Sequence, residues 1–170
     1  MPRIVVIGNA AGGKSTLART VARHRGLRLT EIDRVLWQPG WQLTPADEYT
    51  REHDDLIACE NWIIEGLGQQ DSIPRRLARA TEVILVDLPL WLHYALAADR
   101  QLAWAQGSAE GAPAGATAPP PTRGLFETMW RVDRDWMPDI RDHCARAERD
   151  GKIVIRLGTL EELGVFAEKA

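Results

Sequence analysis

The stretch GNAAGGKST at residues 8–16 constrains this chain more than any other. Gly8, Gly13, Lys14 and Ser15 satisfy the spacing G-x-x-x-x-G-K-[ST]. Average residue usage produces such a match in roughly one chain of this size in two hundred. Ile4 to Ile7, just before it, is a continuous apolar run that reads as a strand buried on both faces. A helical stretch of about residues 14–25 comes directly after, with Gly26 placed to end it. Strand, glycine-rich turn and helix start, in that order, build an anion site. The glycines let backbone N–H groups turn inward, and the helix N-terminus adds unpaired donors and its dipole. Gly8, Asn9, Ala10, Ala11, Gly12, Gly13, Lys14, Ser15 and Thr16 are therefore expected to cradle the β- and γ-phosphates of a nucleotide. Lys14 supplies the point charge and the Ser15 hydroxyl a ligand for Mg²⁺.

The rest of the chain alternates strands with helices. RLTEID (28–33), NWIIEG (61–66), EVILVD (82–87) and KIVIRL (152–157) read as strands two to five. Thr44 as N-cap, Pro45 at the first helical position and Asp47 in the first turn open a helix. Shorter helical patterns cover 72–80 and 89–105, a long amphipathic helix covers about 125–149 with a bend at Pro138, and a capping box at 159–162 opens the last helix. Residues 107–124, almost all Gly, Pro and Ala, cannot build a packed core and read as a loop. The fifth strand follows that loop, so it is an insertion into one domain spanning 1–170 rather than a linker. Five alternations predict an α/β fold, a parallel sheet covered on both faces, with the ligand site at the carboxyl ends of the strands.

Two strands end in an acid, Glu65 and Asp87, and either suits the metal side of a phosphate site; if the sheet order is 2-3-1-4-5, both flank the first strand. Asp33 closes the second strand, where a carboxylate orients or deprotonates an attacking hydroxyl. Trp37 and Trp41 surround a Pro-Gly turn just beyond, either as a stacking platform or as a small satellite core. Eighteen of the 21 basic residues are arginine, the side chain suited to planar contact with phosphate. The candidates for charge over a transferring phosphoryl are Arg75, Arg76, Arg100, Arg123, Arg131 and Arg134. Arg100 and Arg123 bracket the Gly/Pro/Ala loop, which fits a lid. The net charge of −3 and the lack of a basic stripe argue against direct nucleic-acid contact. Cys59, Cys144 and the four histidines show no metal-ligand spacing. No segment reads as a leader or a membrane span, and a cytoplasmic protein is expected.

These motifs resemble the adenylate-kinase-like P-loop kinases, and within them the bacterial topology modulation (FlaR-type) group. The residues that carry the likeness are IGNAAGGKST, EIDRVLWQPGW, NWIIEGLG, IPRRLARATEVILVDLPLWLHYALAADRQ and IVIRL, spread over nearly the whole chain. The resemblance implies a three-layer α/β/α P-loop NTPase fold with five parallel strands in the order 2-3-1-4-5 and ATP on the loop at 8–16. It implies an acceptor-binding region at about 33–60 and a lid insertion at about 105–124. Carried onto this chain, Lys14, Asp33 and Arg100 are expected to be catalytic, and Arg123, at the far edge of the loop, is expected to join them. Asp33, Trp37, Trp41, Gly66 and Arg76 are expected to bind substrate, and Ser15 and Glu65 to hold Mg²⁺. Glu65-Gly66 stands where the family commonly has Asp-Gly, and the helix after the fourth strand is apolar where the family's is rich in arginine. The expected activity is ATP-dependent phosphoryl transfer to a small-molecule acceptor, a nucleoside monophosphate or a hydroxyl compound. The alternatives are a nucleotide-regulated binding protein with a DNA-topology role, and a simple ATPase.

Overall fold

The computed structural model describes residues 1–40, 42–107 and 120–169. In chain order the elements are β1 (Arg3–Gly8), α1 (Lys14–Arg25), β2 (Leu29–Glu31), α2 (Asp33–Leu36), β3 (Trp37–Gln38), β4 (Gln42–Leu43), α3 (Ala46–Ala58), β5 (Trp62–Glu65), α4 (Ser72–Arg79), β6 (Glu82–Val86), α5 (Leu90–Ala105), α6 (Thr122–Arg131), a π-helical turn (Val132–Trp136), α7 (Met137–Arg149), β7 (Ile153–Leu157) and α8 (Leu160–Lys169).

A five-stranded sheet runs β2-β5-β1-β6-β7, and every neighbouring pair is parallel. Counting only the strands of this sheet, that is the expected order 2-3-1-4-5. Its apolar runs are continuous because alternate residues serve opposite layers. Ile4, Val6, Ile63, Ile84 and Val86 pack with Leu17, Ala18 and Val21 of α1, with Leu163 and Phe166 of α8 against them. Val5, Ile7, Ile64, Val83 and Leu85 pack on the other face with Tyr49 and Ile57 of α3, Ile73 and Leu77 of α4, and Met137, Ile140 and Cys144 of α7. The molecule therefore has three layers, and all five carboxyl strand ends face one edge. Among the described residues no helix is long and apolar enough to cross a membrane.

Four local expectations change. Thr44 does not cap α3: its hydroxyl donates to the Val35 carbonyl (2.7 Å) and its N–H to Leu36 (2.9 Å), closing the β3–β4 hairpin instead. Asp33 does not close β2; it opens the short α2, one residue after Ile32 N–H has bonded the Glu65 carbonyl (2.8 Å). Of the loop expected at 107–124, residues 108–119 lie outside the described residues, and so does most of the expected lid. Its last part is helical, since α6 opens at Thr122 behind Pro121. The helix expected at 125–149 is α6 and α7 joined by the π turn, in which Met137 N–H reaches back to the Val132 carbonyl. Pro138 explains the widening: it lacks an N–H and its ring crowds the carbonyl four residues earlier.

Candidate active site

The loop from Gly8 to Gly13 leaves the centre of the sheet, between β5 and β6. Gly8 pairs with Val86 so closely that a Cβ there would run into the Val86 carbonyl. Ala11 and Gly13 adopt left-handed backbone (φ 60° and 79°), which folds the loop back on itself ahead of α1. No side chain caps α1, so its first N–H groups are open to an anion. Lys14 is buried, and its Nζ donates to the Asn9 carbonyl at 2.6 Å.

The neighbouring strand ends bring two acids to this lysine. Glu65 ends β5, opposite Val6 of β1, and is buried. Gly66 N–H bonds the Val6 carbonyl (3.0 Å), which places Gly66 (φ 109°) against the Asp33 carboxylate: a Cβ on it would come 3.5 Å from Asp33 Oδ1. Buried Lys14 and Glu65 thus lie within electrostatic reach of Asp33, which is exposed to solvent, and Arg100 within reach of Lys14 and Asp33. Burial raises the pKa of Asp33, and Lys14, Arg76 and Arg100 oppose it. Burial likewise raises that of Glu65, opposed by Lys14 and by the neighbouring Ser15 hydroxyl. Lys14 is pushed down by burial and back up by the two carboxylates. In each group loss of water disfavours the charged form, and the opposite charges beside it act against that.

Glu65 and Asp87 are no longer equivalent. Asp87 accepts from Arg141 Nε (3.0 Å) and Nη2 (2.8 Å) at the far side of β6. Glu65 instead faces Ser15 and Lys14. An oxygen-only set of a Ser hydroxyl and a carboxylate suits a hard cation such as Mg²⁺.

The other expected residues divide. Arg76 is wholly buried: Nη2 donates to the carbonyls of Gly66 (2.8 Å) and Leu67 (3.0 Å), so it supports the 66–68 loop from beneath rather than lining an open site. Tyr49 braces the same loop, its hydroxyl accepting from Gln69 N–H (3.1 Å) and lying 3.0 Å from Ser72 Oγ. Arg123 is not brought to the site; it is exposed and paired with Glu127 one turn along α6 (2.7 Å). Arg75 pairs with Asp54, and Arg134 pairs with Asp135 while lying over the Trp130 ring (4.3 Å). Trp37 is half-buried in β3, and Trp41 lies outside the described residues.

Two residues were not singled out by sequence. His93 is buried on α5, with Nδ1 2.7 Å from the Ala10 carbonyl; a carbonyl only accepts, so Nδ1 carries a proton. Its ring packs on Gly12, where a Cβ would meet Cε1 at 2.7 Å. The available signal was a lone polar residue on the inward face of an apolar helix, four before Ala97, the other buried position of α5. Tyr49 gave only its place on the apolar stripe of α3.

The chain matches no protein-family model, and no curated protein sequence matches it. Solved structures do. Shikimate kinase from Acinetobacter baumannii, in complex with shikimate, superposes with a TM-score of 0.60 at 13% identity, over 99% of this chain and 90% of that one. A gluconokinase from Sinorhizobium meliloti gives 0.56 at 13% identity, over 99% and 88%. Shikimate kinase from Aquifex aeolicus gives 0.53 at 14% identity, over 98% and 92%. The strand order, the phosphate loop and these likenesses agree: the fold is that of the P-loop kinases.

Proposed function

We propose that this protein is an ATP- and Mg²⁺-dependent kinase that phosphorylates a hydroxyl group of a small molecule. The observation that carries the reading is the Asp33 carboxylate, solvent-accessible, placed against Gly66 and in the field of both Lys14 and Arg100. The loop at 8–16 holds the nucleotide phosphates, and Lys14 leaves the Asn9 carbonyl to neutralise charge on the migrating group. Ser15 and Glu65 hold Mg²⁺, which on binding neutralises phosphate charge. The acceptor hydroxyl oxygen attacks the γ-phosphorus, its proton passes to Asp33, and the bond from the γ-phosphorus to the β–γ bridging oxygen breaks to release ADP. Arg100 completes the charge around the transferring group.

A hydroxyl compound is favoured over a nucleoside monophosphate because, among the described residues, the acceptor side offers few free cations. Arg19 and Arg34 both pair with Glu31 (2.9 and 2.8 Å), and Arg76 is sealed beneath the loop. The proposed acceptor region is residues 33–60 with the 66–68 loop, within one kinase-like domain over 1–170. Closeness to the topology modulation group belongs to the same proposal.

The test is ADP formation with a panel of polyols, hydroxy acids and nucleoside monophosphates. One hydroxyl acceptor should raise the rate well above hydrolysis. Lys14→Ala should abolish it, and Asp33→Asn should abolish transfer while ADP binding survives. A rate no acceptor stimulates refutes the kinase reading and leaves a nucleotide-binding protein or ATPase.

A further inference from the structure

Two consecutive residues of the phosphate loop are hydrogen-bonded to two different helices. Asn9 is buried and engaged on three sides. Its carbonyl accepts from Lys14 Nζ (2.6 Å), its Oδ1 accepts from Ala10 N–H (2.8 Å), and its Nδ2 donates to the Met129 carbonyl of α6 (2.8 Å). Ala10, next in the chain, has its carbonyl taken by His93 of α5 (2.7 Å). The two helices also meet, and α5 bonds the chain just ahead of α6. Tyr94 and Phe126 stack with ring centroids 5.0 Å apart, and Gln101 Nε2 donates to the Pro120 carbonyl (3.0 Å). Chain direction runs outward along α5 from His93 and back along α6 to Met129. The pair is therefore a hairpin standing on the loop, with its feet at Asn9 and Ala10.

The foot on α6 is placed at a change of helix type. Met129 lies three residues before the π turn that begins at Val132, where the regular ladder gives way. Such turns shift register without unfolding. Asn9, Met129 and His93 are almost wholly buried, so no water replaces these bonds if the loop rotates.

We propose that Asn9 and His93 are positioning residues that tie the phosphate loop to the α5–α6 hairpin, so that nucleotide on the loop and the seating of α6 are coupled. The inference rests on the proposed reading only in that a nucleotide occupies the loop. Phosphate draws Lys14 off the Asn9 carbonyl. The freed peptide plane turns, and the side chain of the same residue carries that turn to Met129. Coupling of this kind is reciprocal: whatever unseats α6 weakens nucleotide binding by the same factor.

The test compares the full chain with Asn9→Asp, using ADP as the probe. The substitution keeps size and the acceptor for Ala10 N–H but removes the donor to Met129; it also adds a charge beside the bound phosphates, so the exchange response rather than the affinity reads the coupling. ADP affinity is read by calorimetry, and amide hydrogen exchange of residues 125–136 is read with and without saturating ADP. In the unsubstituted chain ADP should change exchange across 125–136. In Asn9→Asp, ADP should bind about tenfold more weakly, and at saturation exchange at 125–136 should no longer respond. His93→Phe, which keeps a ring against Gly12, should show the same weakening with the lost response at the start of α5, and serves if Asn9→Asp fails to fold. An undiminished response in a folded variant overturns the coupling and leaves the kinase reading intact, as does ADP binding to the unsubstituted chain without any change at 125–136. Failure of the unsubstituted chain to bind ADP overturns both.

Discussion

His53 gives a quantitative test of how the edge proposed for the acceptor is built. It lies wholly inside the protein, on α3, with neither ring nitrogen hydrogen-bonded, and stacks on Tyr49 at 5.9 Å between centroids. Burial is the main reason its pKa is pushed down from 6.5 to about 4. The charges of Arg76 and Arg75 act the same way, and Asp54, 3.6 Å from Nδ1, acts against them. Above about pH 6.5 neither folded nor unfolded chain holds the proton, and His53 has no effect on stability. Below that the unfolded chain takes up a proton the folded chain refuses, so stability falls with pH until about pH 4, where the folded form protonates too. At about 1.4 kcal/mol per pH unit the full loss is about 3 kcal/mol. His53→Phe keeps a stacked ring and removes the titration. Urea unfolding of both proteins at intervals from pH 7.5 to 4 should show the unsubstituted chain losing about 3 kcal/mol relative to the variant. His93, which burial also pushes down, is present in both and cancels. A difference independent of pH would refute the argument, by showing that His53 in solution has water or a partner.

The two strand-end acids should separate cleanly: Glu65→Gln should lower kcat about a hundredfold, whereas Asp87→Asn should leave turnover in place and cost about 1 kcal/mol of stability through its half-exposed pair with Arg141. Steady-state kinetics and urea melts on both variants decide it, and the reverse pattern would move the metal side to β6. Gly68 has φ 67°, and a Cβ there would land on the Tyr49 hydroxyl, so Gly68→Ala should destabilise by about 1–3 kcal/mol and raise KM for the acceptor more than for ATP. Equal changes in both KM values would remove the 66–68 loop from the acceptor side.

The sheet was legible because its physics is local. A strand buried on both faces must be apolar at every position, and Ile4–Ile7, Trp62–Ile64 and Val83–Val86 are. The phosphate loop was legible for the same reason, since its glycines, lysine and serine act within nine consecutive residues. Arg76 was legible only as an arginine on a short amphipathic helix, for which solvent is the ordinary place. Its burial is dictated by two carbonyls, of Gly66 and Leu67, that the turn after β5 leaves pointing inward and that need a donor. Thr44 carried a sound capping signal, but its hydroxyl and N–H are held by the Val35 and Leu36 carbonyls in the β3–β4 hairpin, and α3 starts one residue later, behind Pro45.

The choice between Glu65 and Asp87 shows where reading along the chain stops. Both end apolar strands that flank β1, and within the chain only the resemblance carried by Glu65-Gly66 separates them. In the structure Arg141 does, 54 residues beyond Asp87 on α7. It occupies one carboxylate with both arms of its guanidinium and leaves the other to face Lys14. The placement of Arg141 follows in turn from the π turn ahead of Pro138, because one extra residue in the coil rotates all of α7 relative to α6. Without that residue the face of α7 that carries Met137, Ile140 and Cys144 to the sheet would turn away, and Arg141, beside Ile140, would turn with it. Pro138 thus bears on which acid is left free beside the phosphate loop.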